Sequence, residues 1–94
     1  MTSVEILTTI QIYDNILAKQ KIESVRHENG GRSRISHLEH ARWMCTQFVT
    51  FSVAGSIEKM QRWLGFIQAV LLIYEIFTLE QLKQHNASPQ PRPQ

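Results

Sequence analysis

Apolar residues recur along this chain at helical spacing, in blocks separated by polar or glycine-containing punctuation. Ile6, Ile10, Tyr13 and Leu17 follow a 4-3-4 spacing that places them on one stripe of a first helix. Thr2 with Glu5 forms a capping box at its start, each side chain satisfying a backbone donor the helix leaves unpaired. Ile22 and Val25 prolong the stripe, and Gly30-Gly31 must end it. A second capping box, Ser36 with Glu39, opens the next helix, whose Leu38, Ala41, Cys45 and Phe48 fall at 3-4-3 spacing. Met44 and Phe51 widen that face, the β-branched Val49, Thr50 and Val53 weaken its end, and Gly55 breaks it.

The third helix, roughly Ile57 to Phe77, differs in kind. Beyond Trp63 it is apolar on almost every side, through Leu64, Phe66, Ile67, Val70, Leu71 and onward to Phe77. A helix apolar all round must be surrounded. Its apolar run is too short for a bilayer, which takes roughly 20 residues, and Gln68 and Glu75 interrupt or bound it. Two other helices in so small a chain cannot cover every side, so a homo-oligomer with this helix at the interface is expected. Thr78 and Gln81 form a third capping box for a short helix reaching about His85. The expected fold is therefore all-α: a three-helix antiparallel, hairpin-like protomer plus a short C-terminal helix. Residues 1–85 form a single helical domain and 86–94 a disordered, proline-rich tail. Asn86-Ala87-Ser88 fits the glycosylation pattern, which is taken as accidental because no secretory signal precedes it.

Ninety-four residues make one domain, and one so small is marginal as a monomer. Cys45 is the only cysteine, so no internal disulfide reinforces it and a reducing, cytoplasmic setting follows. The net charge of +2 is too small for a general binder of long nucleic acid. Its distribution changes the picture. Lys19, Lys21, Arg26, Arg32 and Arg34 cluster around the first interhelical loop against only Glu23 and Glu28, with Arg42, His27, His37 and His40 extending the region.

That loop runs straight into a helix start, and such an end attracts phosphate through its free N–H groups and dipole. Arg32-Ser33-Arg34 is therefore a candidate phosphate contact, with Lys19, Lys21, Arg26 and His37 around it. The plainer alternative is a solvated loop whose arginines pair with Glu28 or Glu39. His37 and His40 lie one turn apart, but H-L-E-H matches no zinc-enzyme signature, and neither metal nor cofactor is expected. No nucleophile motif, P-loop or convincing pair of carboxylates appears, and Cys45 sits on an apolar stripe. A binding protein is expected rather than an enzyme. Tyr13 and Trp43 are candidate stacking platforms, with core or interface packing as the alternative. Arg62 is placed to pair with Glu58 one turn earlier.

Two resemblances add to this. Lys59-Met60-Gln61-Arg62-Trp63-Leu64-Gly65-Phe66-Ile67-Gln68 and Thr78-Leu79-Glu80-Gln81-Leu82-Lys83-Gln84-His85-Asn86, with the preceding His37-Leu38, resemble small proteins of tailed bacteriophages. Ser36-His37-Leu38-Glu39-His40-Ala41 is similar to the T-x-L-E-E-A helix start of phage cyclic-oligonucleotide sponges, with His40 replacing the second glutamate and the motif central rather than terminal. That second resemblance implies a small, oligomeric helical protein in the host cytoplasm that counters CBASS-type immunity by sequestering cyclic di- or trinucleotides without cleaving them. The rival expectation is a helical module that binds and inhibits a host protein.

Overall fold

The first helix, α1 (Ser3–Lys19), begins as its capping box requires: Thr2 N–H donates to Glu5 at 2.6 Å and Glu5 N–H to the Thr2 hydroxyl at 3.1 Å. This is a computed structural model, and it describes residues 1–87. The stripe Ile6, Ile10, Tyr13 and Leu17 is buried throughout. The helix does not continue to Val25. Lys21 adopts a left-handed conformation (φ 63°), and the Ile22 and Lys21 amides donate back to Leu17 and Ala18 at 3.0 and 2.9 Å. This closure seals a helix end by burying the residue after the left-handed position, here Ile22, beside the last turn.

Residues 22–33 form an extended strap along α2 (Arg34–Cys45), interrupted by a single 3-10 turn at Glu28–Gly30. The second helix starts one turn earlier than Ser36. Ser33 is its cap and Ser36 the reciprocal partner, because the two hydroxyls together satisfy the amides of Arg32, Ser33 and Ser36. Glu39, expected in that cap, is held instead by His27 Nε2 at 2.8 Å.

What the spacing predicts as one helix is split in two. The Thr46 and Gln47 amides donate to carbonyls three residues back, and the Thr46 hydroxyl also donates to Trp43 O at 2.6 Å. This tight turn separates α2 from α3 (Phe48–Val53) without breaking the apolar face, so Leu38, Ala41, Cys45 and Phe48 are all buried. Gly55 then ends α3 at positive φ, as expected.

Next comes α4 (Ile57–Ile73), shorter than the predicted span because Glu75 repeats the Lys21 device at φ 61°. Helices α1, α2 and α4 pack mutually, α3 lies on α1 and α4, and α5 (Leu79–Asn86) lies on α4. The Thr78–Gln81 box caps α5 as expected. Asn86, assigned from sequence to the tail, closes α5 and exchanges two amide hydrogen bonds with buried Gln68, at 2.8 and 3.1 Å. The rest of that tail, 88–94, lies outside the described residues. Among the described residues there is no strand, and no helix is long and apolar enough to cross a membrane.

Candidate functional site: a basic and aromatic face along the strap

Besides the His27–Glu39 pair and the cap at Ser33 and Ser36, further hydrogen bonds pin the strap to α2. Val25 N–H reaches Glu39 O at 3.4 Å, His27 N–H reaches His40 Nδ1 at 3.0 Å, and Arg42 Nη1 donates to Ile22 O at 2.8 Å. Arg42 also binds Asp14 at 3.0 Å, so its charge is spent holding strap to α1 rather than extending the basic region. The strap places Arg26 above the Trp43 ring, 5.5 Å from its centre. Such a guanidinium over an indole is held by the ring quadrupole and keeps its N–H edge free.

From Trp43 the face continues through His40, whose ring lies 5.2 Å away. A β-carbon built on Gly30 would stand 3.9 Å from His40 and 3.7 Å from Phe66, so strap, α2 and α4 meet there. Gly31 follows, its carbonyl accepting from His37 Nε2 at 3.0 Å, and His37 Nδ1 accepts from the Tyr74 hydroxyl. Arg34 completes the series, 5.9 Å above the Tyr74 ring. Two arginine–aromatic pairs thus bracket a shallow band of imidazole, glycine and phenyl surface.

The expected site residues divide accordingly. Arg26, Trp43 and Arg34 lie together on this face, and Arg32 is exposed at its edge. None of these three arginines pairs with a carboxylate among the described residues, so the plainer expectation of pairing with Glu28 or Glu39 is not met. His37 has both ring nitrogens occupied and orients Tyr74, so it offers no free donor to an anion. Ser33 is likewise committed to the helix cap. Lys19 and Lys21 belong to the α1 closure, with no contact linking them to the ring series among the described residues. Tyr13 is corrected outright: it is 1% exposed and offers no face for stacking. Burial raises its phenol above the ordinary value. Tyr74 and Phe66 also belong to this face, although in sequence both read as members of an all-apolar helix.

Cys45 is buried, and that burial pushes its thiol up to about 12, leaving it unreactive. The expected Arg62–Glu58 ion pair is absent among the described residues. His37 and His40 point to different partners, and among the described residues no cluster of His, Cys, Asp or Glu is arranged for a metal.

Gly31 is the tightest point. A β-carbon there would meet Ser36 Oγ at 2.5 Å and the Ser36 backbone carbon at 2.9 Å, with φ at +90°. Gly31→Ala is expected to cost more than about 2 kcal/mol in urea denaturation by breaking the Ser33–Ser36 cap. His40 supplies a pH dependence. Burial first, then the charges of His27, Arg26 and His37, holds its imidazole below the ordinary range. Neutral His40 is thus favoured in the fold, so its stabilisation is intact above the unfolded value of about 6.5 and is lost as pH falls through the lower folded one. His40→Asn retains an acceptor for His27 N–H but cannot titrate. Its Tm should fall less than the wild type's between about pH 7.5 and about pH 5.

Compared with protein-family models, with curated proteins and with solved structures, the chain matches none.

Proposed function

We propose that this protein sequesters a cyclic di- or trinucleotide without cleaving it, as a homo-oligomeric phage counter-defence protein acting in the host cytoplasm. The observation that carries this reading is the pair Arg26 and Arg34, unpaired with any carboxylate among the described residues and each poised over an aromatic ring at opposite ends of one face. Guanidinium groups grip phosphate oxygens in bidentate fashion, and rings beside them accept bases by stacking. A cyclic oligonucleotide presents both features in alternation. The same face supports binding rather than hydrolysis, since its carboxylate Glu39 is held by His27 and the one thiol is buried and protonated.

Isothermal titration with a panel of cyclic di- and trinucleotides tests this. At least one should bind with micromolar or tighter affinity and be recovered chemically intact after the protein is denatured. Absence of heat with every member of the panel overturns the reading.

A second reading, a module that binds and inhibits a host protein, draws on α3. Its Val53 is 85% exposed and Val49, one turn earlier, 63% exposed. That function should survive Arg32→Ala/Arg34→Ala and fail in Val49→Ser/Val53→Ser. The sponge reading predicts the reverse.

A further inference from the structure

Helix α4 is apolar on two faces, and the protomer covers one. Met60, Leu64, Ile67 and Leu71 are sealed in the core. Opposite them, Arg62, Gly65, Phe66, Ala69, Leu72 and Ile73 are exposed at the 3-4-3 spacing of a single stripe. Phe66 is 49% and Ile73 68% exposed, a full heptad apart. Between these bulky positions lies low relief: among the described residues, nothing beyond its own helix stands within 4 Å of where a Gly65 β-carbon would sit.

We propose that this stripe is the interface of a twofold homodimer in which α4 pairs antiparallel with its own copy about Ala69. A twofold axis at that residue matches each position with one an equal number of residues away on the other side. Ile73 then settles over Gly65 of the partner subunit, Phe66 meets Leu72 of the partner subunit, and the two Ala69 residues allow close approach. Large side chains fill the places small ones leave, as helix packing requires.

Charge selects a second copy as the occupant. Arg62 flanks the stripe at one end and Glu75 stands just past the helix at the other, and neither joins an ion pair among the described residues. They lie ~20 Å apart along the axis at 1.5 Å per residue. Antiparallel pairing sets each Arg62 beside Glu75 of the partner subunit, twice over, whereas parallel pairing sets like beside like. The stripe is thus complementary to itself in one direction only. Phe66 also backs Gly30, so the dimer interface borders the basic and aromatic face of each protomer. From the proposed function this inference takes only the expectation of self-association.

Sedimentation velocity at micromolar concentration reads the result directly. The wild type should sediment at twice the 10.9 kDa chain mass. Gly65→Gln improves helix propensity, and its β-carbon enters open space among the described residues, so it should keep the full helical circular dichroism while weakening the dimer more than about tenfold. Arg62→Glu and Glu75→Arg should each weaken it, and the charge-swapped double variant should restore it. A monomeric wild type, or a Gly65→Gln protein as dimeric as wild type, overturns the interface. A double variant no better than its single parents overturns the antiparallel register. Titration of the same samples with the cyclic di- and trinucleotide panel separates the two readings: a monomer that binds ligand defeats the interface and the homo-oligomeric state but leaves the sequestering activity standing, and a dimer that binds none defeats only the sponge.

Discussion

Tyr13→Ala is expected to lower stability by about 3–5 kcal/mol, the cost of deleting a large buried aromatic. That is a substantial share of the roughly 5–15 kcal/mol available to a small domain. The ring packs against Phe77 and His85, with centres 5.5 and 5.6 Å away. Its hydroxyl accepts from Gln68 Nε2 at 3.0 Å and lies 2.8 Å from His85 Nδ1. Because Gln68 is also bonded to Asn86, this one hydroxyl ties α1 to α4 and α5. Tyr13→Phe keeps the ring and strips only the hydroxyl, so it should cost about 1–3 kcal/mol, the penalty for leaving buried partners unmet. Equilibrium urea denaturation with unchanged slope measures both. Tyr13→Phe should leave ligand affinity untouched, because the hydroxyl it removes meets Gln68 and His85 in the core rather than the basic and aromatic face.

The second large effect is on binding. Arg26→Ala/Arg34→Ala should weaken uptake of the cyclic nucleotide by at least about a hundredfold, since each charged hydrogen bond to phosphate is worth about 1.5–3 kcal/mol. Both side chains are exposed and meet no carboxylate among the described residues, so stability should move by no more than about 0.5 kcal/mol. Titration calorimetry of the variant, alongside its thermal melt, separates lost contact from lost fold. Affinity unchanged in the double variant would place the ligand elsewhere on the molecule.

Local patterns carried the helices and misjudged their ends. The stripes Ile6-Ile10-Tyr13-Leu17 and Leu38-Ala41-Cys45-Phe48 are buried as their spacing demands, and the caps at Thr2 and Thr78 form as written. The terminations at Lys21 and Glu75 went unread because helix ends of this kind normally show a glycine, and here a lysine and a glutamate take the left-handed position. The available signal was hydrophobic: Leu17 with Ile22, and Leu71 with Ile76, each five residues apart across the turn. At Ser33 the cap escaped notice because its reciprocal partner is a serine, not a glutamate.

The site was legible in its charges and not in its geometry. Arg26, Arg34 and Trp43 stand out by residue type and position, whereas the strap that joins them depends on contacts distant in sequence. Arg42 reaching Asp14 spans 28 positions and His37 reaching Tyr74 spans 37, and no periodicity encodes such pairs. For the same reason spacing puts Tyr13 on the buried stripe without excluding a stacking role: its hydroxyl partners, Gln68 and His85, lie 55 and 72 positions away.

Trp43 itself offers the most direct measurement. Trp63→Phe leaves Trp43 as the sole tryptophan while retaining an aromatic ring against Phe51 and Phe48. Titrating this variant with the cyclic nucleotides should quench its emission saturably, as a base or phosphate settles beside the indole and Arg26. Emission that stays flat with every cyclic di- and trinucleotide, in a protein still folded, would contradict binding at this face.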